Sequence, residues 1–77
     1  MIRKNDMETI TITTEYIKLQ DLLKLSAAVA TGGEAKLVIQ DGQVSVNGEV
    51  CTQRGKKIRP GDAVTYGKTE MTVRYAD

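Results

Sequence analysis

The spacing of apolar residues changes twice along this chain, and these changes limit the folds that it can adopt. The segment Thr9–Thr13 (TITIT) alternates apolar and polar residues, which is typical of a half-buried strand. The leucines that follow recur three and four residues apart. That spacing predicts an amphipathic helix from Lys18 to about Leu25 or Ala28.

A second short helix is expected in the segment 34–40. Ala35, Val38 and Ile39 would share its buried face, and Glu34 in the first turn suits the positive end of the helix dipole. Gly42 is well placed to end it, because glycine adopts the left-handed conformation that commonly follows a helix.

From Val44 onward apolar residues again recur at every second position, so the rest of the chain is expected to form strands. Asn47-Gly48 is a strong signal for a type I′ hairpin, and Pro60-Gly61-Asp62 and Gly67-Lys68-Thr69-Glu70 mark two further turns. The last strand is Met71–Tyr75. The sequence therefore predicts an α+β fold, with two short helices packed on a small antiparallel sheet of four to five strands.

A chain of 77 residues leaves room for one domain, which we place at residues 9–77 after a flexible N-terminus at residues 1–8. The sequence has no Phe and no Trp, so the core must be aliphatic. No apolar stretch is long enough to span a membrane, and the single Cys51 cannot form an internal disulfide. We therefore expect a cytoplasmic protein.

The residue types argue against an enzyme. The chain has no His, the usual base near neutral pH, and Cys51 has no evident base beside it. Asp62 is better explained as a turn residue, and Gly32-Gly33 lacks the residues that complete a phosphate-binding loop. Since the carboxylates are scattered, no metal site and no cofactor are expected.

Positive charge is concentrated in what we call the basic segment, residues 54–59, which contains Arg54, Lys56, Lys57 and Arg59. Residues 50–61 carry no acid, whereas the other positions hold seven basic and ten acidic residues. Such charges can simply keep an edge strand soluble. They are also what a phosphate-backbone binder requires, and Gly55 could aim them outward together.

Two residues of the second helix could extend this surface. Lys36 and Gln40 lie one turn apart on its polar side, whereas Lys18 and Lys24 are diluted by neighbouring acids. Aromatic residues that could stack on bases are few, since Tyr16, Tyr66 and Tyr75 adjoin core positions. A binder of this kind should recognise backbone and shape, which suits structured RNA.

The segment from Lys18 to Val64 resembles the RNA-binding domain first recognised in ribosomal small-subunit protein four, the S-four domain. The shared features are a leucine-rich helix (LQDLLKL), a second helix beginning with Glu-Ala-Lys, then G-x-V-x-V-N-G, a basic loop and Pro-Gly-Asp. The resemblance covers a motif core at about residues 16–66. The variants present here are similar to those of a stand-alone bacterial group labelled YbcJ or YaaA.

The resemblance implies the alpha-L RNA-binding motif, in which RNA lies across the helix pair and the adjoining strand. Lys36, Arg54, Lys56 and Lys57 match positions that are basic in the family, and Lys18 stands where many members have Arg. Gly32-Gly33 replaces an Arg-Ser of many members, so one phosphate contact is absent. We therefore expect a monomer that binds structured RNA, such as ribosomal or transfer RNA, without modifying it, and ribosome association is left open.

Two other classes of function were weighed. A protein-interaction adaptor could dock an acidic partner on the basic segment, and the sequence does not separate it from an RNA binder. A ubiquitin-like sulfur carrier would need a C-terminal Gly-Gly, but this chain ends in Tyr75-Ala76-Asp77. The adaptor is the alternative that stays open.

Overall fold

The computed structural model describes residues 6–76, which form two helices on a mixed sheet of five strands, with a separate pair of short strands. The predicted fold class is confirmed. In chain order the elements are β1 (Asp6–Ile12), β2 (Ile17–Lys18), α1 (Leu19–Leu25), α2 (Gly32–Gln40), β3 (Val44–Val46), β4 (Glu49–Val50), β5 (Lys57–Ile58), β6 (Ala63–Tyr66) and β7 (Thr69–Tyr75).

The large sheet has the strand order β1-β7-β6-β3-β4, and one of its pairings differs from the antiparallel arrangement that we predicted. β3, β4, β6 and β7 pair antiparallel with their neighbours, but β1 runs parallel to β7 along its whole length. An alternating strand suits either direction equally well. The long stretch of chain between β1 and β7 permits the parallel direction, which a tight hairpin would not.

The N-terminal strand starts earlier than its sequence pattern suggested. β1 begins at Asp6, three residues before Thr9, because it pairs with β7 from Asp6 opposite Thr69 to Ile12 opposite Tyr75. Residues 1–5 of the N-terminus that we predicted to be flexible lie outside the described residues.

The core is aliphatic, as the composition requires, and it includes the fully buried Met71. Leu19, Leu22 and Leu23 of α1 are completely buried, and burial of each contributes about 1.5–3 kcal/mol. The predicted inward face of α2 is confirmed. The buried apolar residues are Ile12, Leu19, Leu22, Leu23, Val29, Ala35, Val38, Ile39, Val44, Val46, Ile58, Val64, Met71 and Val73.

Helix α1 ends at Leu25 rather than at Ala28 because Ala27 adopts a left-handed conformation, with φ of 65°. The Ala28 amide then donates to the Leu23 carbonyl over a distance of 3.1 Å, which closes the helix end. Glycine is the usual residue here, since a Cβ in this region costs about 1–2 kcal/mol.

Helix α2 begins at Gly32, two residues earlier than predicted, because Thr31 caps it. The Thr31 hydroxyl accepts a hydrogen bond from the Glu34 amide (3.1 Å), and the Glu34 carboxylate accepts one from the Ala30 amide (2.9 Å). This Thr-x-x-Glu arrangement closely resembles a capping box. Gly42, with φ of 78°, follows the helix as predicted.

Candidate nucleic-acid interface

The backbone of the basic segment is hydrogen-bonded to the start of α1. The Leu19 amide donates to the Lys56 carbonyl (2.9 Å) and the Gln20 amide donates to the Arg54 carbonyl (3.1 Å). Amides in the first turn of a helix have no partner within the helix, and Lys18 at the N-cap contributes no side-chain hydrogen bond. The segment therefore caps α1, and α1 in turn fixes the backbone of the segment.

The pairing of β2 with β5 places a fifth cation, Lys18, beside the basic segment. Lys18 lies directly opposite Lys57, while Ile17 lies opposite Ile58. The Ile58 side chain is fully buried, so the two lysines point to the other, solvent-facing side. Our prediction that Lys18 belongs to α1 was wrong by one residue. The pairing joins residues about forty positions apart, and no local sequence signal could have found it.

Tyr16 supports one of these lysines. The ammonium group of Lys57 lies 5.0 Å from the centroid of the Tyr16 ring, within the range of a cation–π contact. Tyr16 was predicted to be a structural residue, and it is indeed half-buried. Its additional role is to hold the Lys57 side chain at the surface.

No ion pair is recorded for the cations of the basic segment among residues 6–76. Within residues 6–76, the recorded ion pair joins Lys24 to Asp21 at 4.0 Å, and none involves Lys18 or the basic segment. Arg54, Lys56, Lys57 and Arg59 are all exposed. Two like charges directly opposite on paired strands repel each other, so the surface is electrostatically unfavourable until an anion binds.

Asn47 and Asp62 join the β3–β4 turn to the turn that follows the basic segment. The Asp62 carboxylate accepts hydrogen bonds from the Arg59 amide (2.8 Å) and from the Asn47 side-chain amide (3.1 Å). The Asn47 side-chain oxygen in turn accepts from the Ala63 amide (2.9 Å). The two motifs that the sequence marked only as turns are therefore one hydrogen-bonded unit.

The same contacts lower the pKa of Asp62 below its ordinary value. The hydrogen bond from the Arg59 amide is the largest cause, and the Asn47 side chain and the charges of Lys56 and Arg59 act in the same direction. Partial burial raises the pKa but is outweighed. Asp62 thus stays ionised beside the basic segment while its two oxygens hold the turn.

Lys36 and Gln40 lie on the exposed side of α2, opposite the buried Ala35, Val38 and Ile39, as predicted. Across residues 6–76, no hydrogen bond, ion pair or strand pairing joins either residue to the basic segment. The structure therefore brings together Lys18, Arg54, Lys56, Lys57 and Arg59, while Lys36 and Gln40 form a separate part of the candidate interface.

A groove of about 620 Å³ lies beside the basic segment. One side is formed by the β3–β4 hairpin, including Glu49 and Val50, and the other by Lys56, Arg59 and Pro60. Among residues 6–76 there is no group of three His, Cys, Asp or Glu side chains that could hold a metal ion, and no helix that could span a membrane.

A two-helix fold with an exposed cluster of cations beside the first helix is the architecture of a nucleic-acid-binding module. A family model of the S4 domain matches residues 10–74. The chain therefore belongs to the S4 domain family, the S-four domain anticipated from the sequence.

Known proteins of two bacteria are similar to this chain over most of its length. It is 42% identical over 55 residues to "Probable ribosome maturation protein RlbA" of Bacillus subtilis, a match that covers 71% of this chain and 78% of that protein. It is 41% identical over 58 residues to "Putative RNA-binding protein YbcJ" of Escherichia coli, covering 75% and 83% of the two chains.

The fold also matches an experimental structure. The solution structure of YbcJ from E. coli, described as containing an alpha-L motif involved in RNA binding, aligns with a TM-score of 0.71 at 33% identity. The alignment covers 96% of this chain and 95% of that one. The alpha-L architecture and the resemblance to YbcJ that the sequence suggested are confirmed.

Proposed function

We propose that this chain is a non-catalytic RNA-binding protein that holds the phosphates of structured RNA on the basic segment and Lys18, with Lys36 and Gln40 as a second contact on α2. The observation that carries the proposal is the pairing of Lys18 opposite Lys57 with no carboxylate paired to either within residues 6–76. A fold keeps such an unfavourable pair most readily when a polyanion neutralises it.

Two features of the relatives support the proposal. YbcJ of E. coli has a name that describes RNA binding, and its alpha-L motif is described as involved in RNA binding. The name of the B. subtilis relative refers to ribosome maturation. We therefore take ribosomal RNA as the first candidate ligand and transfer RNA as the second.

The aromatic residues favour structured RNA over an extended single strand. The Tyr16 ring is already in contact with Lys57, and Tyr66 is half-buried against the core, so neither offers a free face for successive bases. Tyr75, which is 50% exposed, lies at the end of β7. Single-strand binders rely on rows of stacking aromatics. A protein without such a row is expected to contact phosphates and ribose hydroxyls of a folded RNA.

Substitution of the basic segment tests the proposal directly. Arg54→Ala, Lys56→Ala and Lys57→Ala should each weaken RNA binding by about 0.5–1.5 kcal/mol, and Arg59→Ala by less. The triple variant should lose nearly all binding at physiological salt and keep its fold, since these side chains are exposed. Filter binding to a ribosomal RNA hairpin and a thermal melt measure the two quantities.

A matched control removes three other exposed cations, with Lys24→Ala, Lys68→Ala and Arg74→Ala combined in one chain. This variant has the same net charge as the triple variant but an intact basic segment, so it should keep most of its affinity. Equal loss of binding in both triple variants would show that total charge alone matters. Unchanged affinity in the basic-segment variant would instead show that these cations only keep an edge strand soluble.

Lys36 provides a separate test of the helix contact. Lys36→Glu should weaken RNA binding and leave the melting temperature nearly unchanged, because Lys36 lies on the exposed face of α2. Lys68→Glu, at the turn between β6 and β7, reverses the same charge away from the proposed interface and serves as the control. If both substitutions reduce affinity equally, α2 is not part of the interface.

A further inference from the structure

A groove between the β3–β4 hairpin and the Arg59–Asp62 turn adjoins the phosphate contacts proposed above. Its volume of about 620 Å³ falls within the roughly 300–1,000 Å³ typical of small-ligand sites, and it is large enough for a nucleotide. Lys56, Lys57 and Arg59 belong both to the groove lining and to the cationic surface. A phosphate held by these cations would leave its attached base at the groove.

The walls of the groove combine apolar and polar groups. Val50 is 64% exposed although it is apolar, and Cys51 and Pro60 extend this apolar surface. The flat face of a base can pack on such aliphatic groups, and doing so would cover the exposed Val50. Thr52 and Gln53 supply hydrogen-bonding groups at the rim.

Of the two carboxylates in the groove, Glu49 is the one with no recorded hydrogen-bond partner on either oxygen among residues 6–76. Asp62 uses both oxygens, one for the Arg59 amide and one for the Asn47 side chain. Glu49 is exposed, and among residues 6–76 its carboxylate has no recorded hydrogen bond or ion pair. A carboxylate repels phosphate, but it accepts hydrogen bonds from the N–H groups of a base.

We propose that this groove binds one unpaired nucleotide of the RNA and that the Glu49 carboxylate selects guanine. Guanine presents a ring N–H and an amino group side by side, which match the two oxygens of a carboxylate. Uracil presents one N–H flanked by two carbonyl oxygens, which Glu49 repels. The site rests on the proposed RNA binding and adds to it the recognition of a bulged or looped-out base beside the duplex.

Binding to three RNA hairpins of one stem sequence tests this site. One hairpin carries a single bulged guanosine, one a bulged uridine, and one is fully paired. At a fixed salt concentration, fluorescence anisotropy should show the wild-type protein binding the bulged-guanosine RNA about tenfold more tightly than the bulged-uridine RNA, the lower end of what a bidentate base contact discriminates.

Glu49→Gln is the decisive variant, and Glu8→Gln is its matched control. Glu8 is an exposed residue of β1, at the opposite edge of the sheet from β4, so both variants lose one negative charge. Loss of that charge raises affinity for every RNA. The measured quantity is therefore the ratio of the affinity for the bulged-guanosine RNA to that for the bulged-uridine RNA. This ratio should fall to about twofold or less in Glu49→Gln and stay near tenfold in Glu8→Gln.

A titration with guanosine 5′-monophosphate locates the site. The NMR signals of Glu49, Val50 and Gln53 are expected to shift more with this nucleotide than with uridine 5′-monophosphate. Shifts confined to α2 would show that the nucleotide does not bind in the groove. Equal affinity of the wild-type protein for all three hairpins would contradict the nucleotide site in the groove but leave the proposed phosphate binding intact. No binding to any hairpin would contradict both the nucleotide site and the proposed RNA binding.

Discussion

Asp62 links the two turns that flank the basic segment. Its carboxylate binds the Arg59 amide and the Asn47 side chain, and Asn47 binds the Ala63 amide. The side chains of Lys56 and Arg59 are therefore displayed from a backbone that is already ordered. Such order matters for binding, because each segment that must be ordered on association reduces the affinity.

This carboxylate should make stability depend on pH. The folded-state pKa of Asp62 is lowered, so its contribution is fully present above the pKa of the unfolded chain and is lost as pH falls through the folded-state value. We expect Asp62→Asn to cost about 1 kcal/mol at neutral pH, since the NH2 group that replaces one oxygen cannot accept a hydrogen bond, and either the Arg59 amide or the Asn47 side chain loses its acceptor. The difference from wild type should shrink in acid.

Urea unfolding between pH 7 and pH 3 measures this dependence. Asp41→Asn is a suitable control, because Asp41 is an exposed acid whose recorded side-chain contact is with Gln43 at 2.8 Å. A wild-type advantage over Asp62→Asn that is the same at both ends of the pH range would contradict the assigned role of Asp62.

Ala27 is strained, and its replacement should stabilise the fold. With φ of 65°, it sits where glycine is favoured. Ala27→Gly relieves this strain but raises the conformational entropy of the unfolded chain. The free energy of unfolding is therefore expected to rise by about 0.5–1 kcal/mol, and the melting temperature by about 2–8 °C.

Ala30→Gly provides the comparison, because Ala30 is also exposed but is not among the residues of positive φ. It should lower the melting temperature. Equal behaviour of the two glycine variants would mean that the strain at Ala27 is relieved in solution.

At the scale of elements, the β2–β5 pair links stability to binding. It buries Ile58 in the core and packs the partly buried Ile17 against it, while setting Lys18 and Lys57 side by side. The buried isoleucines hold this two-residue ladder together, and the exposed lysines oppose it. A pair that weakens the free protein and strengthens the complex is the expected signature of a binding site.

Lys18→Gln should therefore change stability and affinity in opposite directions. Removal of one positive charge relieves the repulsion from Lys57, so stability should rise by about 0.2–0.5 kcal/mol. RNA affinity should fall by about 0.5–1.5 kcal/mol, since one phosphate contact is lost. Chemical unfolding and filter binding on one preparation would measure both.

Lys24→Gln is the matched control for this change. Lys24 forms an ion pair with Asp21 one turn earlier on α1, so its loss should cost up to about 0.5 kcal/mol of stability and leave RNA affinity nearly unchanged. If the Lys18→Gln protein is less stable and its RNA affinity is unaltered, Lys18 is not part of the interface.

For the whole molecule, the distribution of charge matters more than its sum. The formal net charge is only +1, yet residues 50–61 carry four cations and no acid. The remainder of the chain is mildly acidic and should repel RNA from its other faces. An RNA is thus expected to approach in one orientation, with its backbone toward the basic segment.

The salt dependence of binding should report the size of this interface. Four to six phosphate contacts give a slope of log affinity against log salt concentration of roughly −3 to −5, at ~0.7–0.9 per contact. The triple variant of the basic segment should lose about two to three units of that slope. Titrations at several potassium concentrations give both values. An affinity that does not change with salt would exclude a phosphate-based interface.

Most of the local structure was predictable because it depends on neighbouring residues. The periods of apolar residues identified both helices and the main strands, and Asn47-Gly48 identified a turn whose two residues both have positive φ, 52° and 89°, as a type I′ turn requires. The basic segment was evident for the same reason, since its four cations lie within six positions. The Thr31-x-x-Glu34 cap was also local, but it was overlooked.

Tertiary structure decided the features that join distant parts of the chain. The parallel direction of β1, the placement of Lys18 opposite Lys57 and the hydrogen bond between Asn47 and Asp62 each connect residues at least fifteen positions apart. No local pattern encodes such pairings, because the same alternation of apolar residues suits several partners and both strand directions. The common aliphatic core joins these distant segments, since Ile58 and the leucines of α1 are buried in it together and Ile17 packs against it.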